Sequence, residues 1–189
     1  MDHTSALIND LANKLVDAYK IHSESTWQWF LDKLTYENAR VPEALFFAYE
    51  VTRNTEYRDI GRAGLDFLLS QTFDKDKDLF SFVGNKGWFP KGGTKAVFGQ
   101  QPVDAATTVE ACCTAYRVTK EKKYRTFAHD AFGWYTGKNI LGLPLIDSKT
   151  GGICNGLEEW GVNPNQGAES VLTYGLAYAA IQDMEKHFR

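Results

Sequence analysis

Carboxyl side chains recur at the starts of apolar segments in this sequence. Asp104 follows Gln100-Gln101-Pro102 and opens a run rich in Ala and Thr. Glu169 follows Asn165-Gln166-Gly167-Ala168 and opens another, while Glu37, Asn38 and Arg40 hold the related place in a third. Two carboxyl groups that face each other across a sugar can run glycoside chemistry, one as general acid and the other as base or nucleophile. They must stand roughly 5 to 9.5 Å apart. Asp104 and Glu169 are the candidates for those catalytic roles. Each also has a plainer reading, because a carboxyl in a first helical turn is stabilised by the helix dipole wherever it occurs. Arg40 beside a carboxyl is equally satisfied as a structural ion pair. Polar residues at the same end of three otherwise apolar helices favour a shared site.

The expected ligand contacts around that pair are Glu37, Asn38, Arg40, Trp88, Gln101, Asn165 and Gln166. Trp88 sits with Asn85, Lys86 and Phe89 in the most glycine-rich stretch. It reads either as a stacking platform for a sugar ring or as an aromatic plug that anchors a long loop. Trp27, Trp29 and Trp160 read as plugs. His22 and His129 show no partner in the sequence. Cys112 and Cys113 read as small apolar fillers of a buried helix. Lys91-Gly92-Gly93-Thr94 is no phosphate loop, since it lacks the preceding strand and the Gly-Lys-Ser/Thr ending. No metal or organic cofactor is implied.

The elements that position these residues repeat. Tyr49-Glu50-Val51-Thr52 and Tyr57 recur as Tyr116-Arg117-Val118-Thr119 and Tyr124, an offset of 67 positions. The same offset carries Glu43-Ala44 onto Glu110-Ala111. It also carries Tyr57, Ile60, Gly61, Gly64, Leu65 and Leu68 onto Tyr124, Phe127, Ala128, Ala131, Phe132 and Tyr135. That second stripe has the spacing of one apolar helix face. Ile8, Leu11, Ala12, Leu15, Val16 and Tyr19 follow the same template. Residues 37–52, 104–119 and 167–184 are apolar nearly all round and read as inner helices. The one-stripe segments near 5–20, 56–71 and 122–137 read as outer helices. The expected fold is therefore all-α: three helical hairpins with tight inner-to-outer turns. Long loops at 21–36, 72–103 and 138–166 all emerge at the end that carries the inner-helix N-termini. Leu79–Gly84 is the best strand candidate within them.

The chain has 189 residues, which suits a single helical domain over 1–189. A net charge of −3 without a basic stripe argues against nucleic acid. No apolar run reaches membrane-spanning length, and the N-terminus carries no signal-peptide pattern. Three cysteines, two of them adjacent, give neither a disulfide framework nor metal-ligand spacing, and point to a reducing, cytoplasmic setting. Aromatic residues make up 14% of the chain, a density that suits a large helical core and also sugar-stacking surfaces.

Three stretches carry a resemblance to a known family. They are Trp27-Gln28-Trp29-Phe30 leading into Leu34-Thr35-Tyr36-Glu37-Asn38-Ala39-Arg40-Val41-Pro42, then Val83-Gly84-Asn85-Lys86-Gly87-Trp88-Phe89 with Gln100-Gln101-Pro102-Val103-Asp104, and Thr150-Gly151-Gly152 with Asn163-Pro164-Asn165-Gln166-Gly167-Ala168-Glu169-Ser170. They resemble the helical domain found at the C-terminus of certain bacterial family-4-type glycosyltransferases, or encoded beside them. That domain is similar to the six-hairpin (α/α) toroids, which include glycosidases and N-acylglucosamine 2-epimerases. The resemblance implies a saccharide ligand and a carbohydrate-active or carbohydrate-binding role with a glycosyltransferase system. Fold alone does not fix that function. Three hairpins are half of a toroid, so one edge of the array is expected to be exposed. That edge implies a homo-oligomer or a glycosyltransferase domain as partner. The rival expectation is a structural or assembly module without chemistry.

Overall fold

The computed structural model describes residues 3–187. Six α-helices run in chain order: α1 His3–His22, α2 Arg40–Thr52, α3 Thr55–Thr72, α4 Pro102–Thr119, α5 Lys122–Gly133 and α6 Ala168–His187. The outer helices α1, α3 and α5 and the inner helices α2, α4 and α6 alternate as the two hydrophobic patterns require. Six short strands pair antiparallel within or between the long loops: β1 Lys33–Leu34 with β4 Phe89–Pro90, β2 Phe73–Asp74 with β3 Leu79–Phe80, and β5 Gly156–Glu158 with β6 Gly161–Asn163. The expected strand at 79–84 is thus only its first two residues. The next three residues, Ser81, Phe82 and Val83, are buried as irregular chain.

The tight turns form as the sequence requires. Arg53 and Lys120 take the left-handed conformation after α2 and α4, each returning its N–H to a helix carbonyl, that of Tyr49 or Tyr116. The Asn54 side chain then caps α3 by accepting from Glu56 N. Two boundaries differ from the periodicity. α2 begins at Arg40 rather than 37, because Glu37 is left-handed (φ 50°) and Asn38 closes a turn on Thr35 in which its side chain both accepts from Thr35 N and donates to Thr35 O. α5 stops at Gly133, passes through a 3-10 turn over Trp134–Thr136, and ends on left-handed Gly137.

α4 is the central inner helix, buried without interruption from Pro102 to Val109 and again from Ala111 to Ala115. α2 and α6 flank it, and α5 packs behind it. Repeat-equivalent positions meet along the α2–α4 contact. Arg117 makes a bidentate pair with Glu50 at 2.8 Å for both bonds, and Glu37 N donates to Asp104 Oδ1 at 2.9 Å. Outer helices are tied by repeat-equivalent tyrosines: Tyr57 Oη donates to Asn9 and Asn13 of α1, and Tyr124 Oη to Asp66 of α3. His129 does have a partner, contrary to the sequence expectation. It shares Glu185 of α6 with Arg125. His22 likewise lies 3.1 Å from Asp32.

The loops are packed rather than loose. Gln100, wholly buried, donates from Nε2 to Val97 O, and its Oε1 accepts from Phe82 N and from Trp134 Nε1. One side chain therefore holds the loop before α4 to the end of α5. Replacing it by a same-sized apolar residue orphans two buried donors and an acceptor, at about 1–3 kcal/mol per group. Gln100→Leu is expected to lower the unfolding free energy by about 3 kcal/mol or more in urea titrations. A loss below about 1 kcal/mol would show that this clamp does not hold the loop.

Candidate functional site

The entry to α2 meets the start of α4 at Asp104. Its side chain is buried in the first turn of α4, and the loop entering α2 lays the Glu37 N–H against Oδ1. The second oxygen, Oδ2, is buried without a hydrogen-bond partner. Burial pushes the carboxyl up to about 8, against the hydrogen bond from Glu37 N. The charges of Glu37 and Glu169 push in the same direction as burial. At neutral pH Asp104 is therefore chiefly a neutral acid with a proton to donate.

The remaining sequence-predicted residues divide. Asn38 is buried and spent on Thr35. Gln166 is exposed and closed on its own loop, donating to Asp147 and accepting from Thr150. Asn165 is exposed, its backbone N–H bonded to Asn163. Glu169 is exposed on the first turn of α6, and Gln101 is half-buried as the residue before α4. Trp88 is half-buried in a left-handed conformation (φ 58°), packed on the core, with the exposed Tyr36 ring 6.1 Å away. It is both anchor and partial surface. Trp27 and Trp29 are buried plugs as expected, but Trp160 is not, being 69% exposed. It lies in the two-residue turn of the β5–β6 hairpin.

Arg40 leads to a feature that the motifs alone do not single out. A cavity of about 600 Å³ opens between the inner helices, lined by Arg40, Glu43, Phe47, Glu110, Thr114 and Arg117 of α2 and α4 and by Ala180, Asp183 and Met184 of α6. Arg40 Nη1 lies 2.8 Å from Glu43 Oε2 and also contacts Glu110 Oε2, while Thr114 Oγ1 donates to Glu43 Oε1 at 3.1 Å. One guanidinium thus serves two carboxyls. Burial raises both, and Arg40 opposes the rise. The repeat is the signal that could have found them, since Glu43 and Glu110 are 67 positions apart. Cys113 also faces this cavity, but burial pushes its thiol up to about 12, too high for a nucleophile. Among the described residues no group of three His, Cys, Asp or Glu side chains could hold a metal ion, and no helix is long and apolar enough to cross a membrane.

No family model and no curated protein match this sequence. Solved structures do match the fold. A GH76 alpha-mannanase from Bacteroides thetaiotaomicron superposes with a TM-score of 0.61 at 17% identity, over 79% of this chain and 38% of that one. A D-mannose isomerase superposes with a TM-score of 0.58 at 15% identity, again over 79% of this chain and 38% of the other. The fold is that of a partial (α/α) toroid, an arc of three helical hairpins. This chain spans well under half the length of either neighbour.

The buried acid gives a pH signature. Asp104 sits at about 8 in the folded chain against its ordinary 3.8, so the folded state holds the extra proton between those limits. Its contribution to stability is complete below about pH 4 and is lost as pH rises towards 8, by at most about 1.4 kcal/mol for each pH unit. Asp104→Asn keeps the shape and removes the titration. Wild type is expected to lose stability relative to the variant between about pH 5 and 8.5 in denaturant titrations. Parallel pH profiles would contradict the assignment.

Proposed function

We propose that this chain is a carbohydrate-binding helical domain, one arc of a toroid whose ligand lies against the inner helices. The observation that carries the reading is the cavity between α2, α4 and α6. Its volume suits a small sugar, and it combines an aromatic ring, Phe47, with convergent donors and acceptors on Arg40, Glu43, Thr114, Glu110 and Arg117. Hydroxyl-rich ligands need that combination of one apolar face and several fixed polar groups. At the mouth, Glu37, Gln101, Asn165 and the Trp88 ring are the further contacts proposed, whereas the Asn38 and Gln166 side chains are already engaged, by Thr35 and by Asp147 with Thr150. The names of the two structural neighbours, an alpha-mannanase and a D-mannose isomerase, make mannose-configured sugars the first to test.

Catalysis is the finer part of the proposal. Asp104, neutral near pH 7, is suited to general acid, with the Glu169 carboxyl as base or nucleophile. Asp104 stands six residues before Glu110 on α4, a rise of about 9 Å along the helix, so the acid lies one step towards the mouth from the cavity. The family-4-type glycosyltransferase association suggested by the sequence motifs, and a cytoplasmic setting for the buried, unpaired thiols, belong to the same proposal.

A second reading has its own observation. α6 buries Ser170, Thr173, Ala177, Ile181 and Met184 on one face, yet leaves Val171, Leu172, Leu176 and Tyr178 exposed on the others. An apolar face of this kind suits an assembly module that docks on a partner or a second copy. Calorimetric titration with mannose, glucose, galactose and their disaccharides separates the two readings. Saturable binding by wild type, weakened about tenfold or more by Glu110→Gln, supports the sugar reading. No heat with any sugar, together with a dimer in sedimentation, supports the assembly module. If a glycoside is turned over, Asp104→Asn is expected to cost about 100-fold or more in kcat with little change in KM. Unchanged turnover would remove Asp104 from the mechanism.

A further inference from the structure

Trp160 is placed where physical chemistry gives it no structural reason to be. The β5–β6 hairpin closes with Glu158 opposite Gly161, so Glu159 and Trp160 form its two-residue turn. Such turns favour Asn, Asp and Gly, and an indole there gains nothing from burial. At 69% exposure most of this ring faces water. The hairpin that carries it is nonetheless rigidly mounted. Leu157 is buried and exchanges backbone hydrogen bonds with Gln100, donating to Gln100 O at 2.9 Å and accepting from Gln100 N at 3.1 Å, and it also accepts from Gly99 N at 2.8 Å. Gly156 lets the Gln100 carbonyl approach so closely that any Cβ there would collide with it.

The facing wall is just as fixed. Gly84 N donates to Ala96 O, Asn85 N to Gly99 O, and Ala96 N to Trp88 O, so residues 84–99 fold back on themselves. Between the two walls lies a groove of about 390 Å³, lined by Lys86, Ala96, Val97, Phe98, Glu158, Glu159 and Trp160. It offers a flat aromatic face, a half-buried Phe98, an exposed Val97, and charged side chains of both signs at the rim. That is the chemistry of a pyranose site: the ring's C–H face stacks on the indole while carboxyls and an ammonium hydrogen-bond its hydroxyls. Two acidic groups against one lysine disfavour an anionic sugar.

We propose that this groove is a second saccharide subsite, which makes the ligand an oligosaccharide rather than a single sugar; the inference rests on the carbohydrate reading above. The groove's two walls are joined by the hydrogen bonds of Leu157 with Gly99 and Gln100, in the segment that leads into α4. Lys86 on the groove rim stands two residues before Trp88, whose ring lies beside that of Tyr36, so the Trp88–Tyr36 pair is the candidate for the next unit of the chain.

Titrating the intact protein with mannose and with linear manno-oligosaccharides of two to six units, read by calorimetry and tryptophan fluorescence, tests this. Affinity is expected to rise with length, and Trp160→Ala to remove that rise, weakening the longest sugars about tenfold while leaving the monosaccharide unchanged. Trp160→Phe is expected to restore part of the gain. Binding of oligosaccharides that is equal in wild type and Trp160→Ala overturns the subsite and leaves the carbohydrate reading standing. No binding of any of these sugars, or of the corresponding gluco-oligosaccharides, by wild type overturns both. Circular dichroism guards against misfolding, which the exposure of Trp160 makes an unexpected outcome.

Discussion

Glu37 and Asp104, Glu43 and Glu110, and Glu50 and Arg117 are three pairs separated by the same 67 residues, and all three lie along the α2–α4 contact. Two parallel helices from successive repeats can lie side by side with equivalent positions facing only if they are in register. The polar groups at those positions enforce the register, since a shift of one residue would strand several of them in the interior. Each pair solves a like-charge or burial problem differently. Near the mouth, the Glu37 backbone N–H satisfies one oxygen of Asp104. In the middle, Arg40 serves both Glu43 and Glu110. At the far end, Arg117 replaces the acid of its repeat equivalent and pairs with Glu50 directly. A drift in the repeat has thus supplied the cation that the exposed end of the seam needs.

The candidate site follows from this seam. α4 is held between α2 and α6 and is buried from Pro102 to Val109 and from Ala111 to Ala115, so the polar groups in those stretches are fixed in place and poorly hydrated. That environment makes Asp104 an acid at neutral pH and raises Glu43 and Glu110. It also keeps Cys112 and Cys113 as inert thiols. The long loops then add what the helices lack, namely ring faces that are partly open. Trp88 and Trp160 come from different loops, but both loops are pinned to Gln100 or its neighbours.

The helical array is legible in the sequence because it rests on periodicity. The 67-residue offset locates α2–α5 within a few residues, and the all-round apolar character of α4 matches its burial. Boundaries fail where single residues override the pattern, as at Glu37 with its left-handed backbone and at Gly133–Gly137. The meeting of Glu37 and Asp104 is legible from their equivalent places, 67 residues apart, at the entries to α2 and α4. The fate of Asn38 and Gln166 is not, because partners such as Thr35, Asp147 and Thr150 are set by loop geometry that leaves no periodic trace. The cavity is hidden for a different reason. Glu43 and Glu110 stand within apolar helices, where sequence alone does not tell a buried pair from two surface acids. Trp160 defeats the expectation of a plug because an aromatic in a glycine-rich loop usually packs inward, and only the hairpin shows that it points out.

Site and seam alike depend most on Asp104 being a buried, protonated acid at the meeting point of the inner helices. Carboxyl ¹³C chemical shifts followed against pH by NMR, with the Asp104 resonance assigned by its loss in Asp104→Asn, measure that directly. The predicted result is a titration centred at about 8. A midpoint near the ordinary 3.8 would mean that Asp104 is solvated and charged, and that the α2 entry does not bury it against the start of α4 as described.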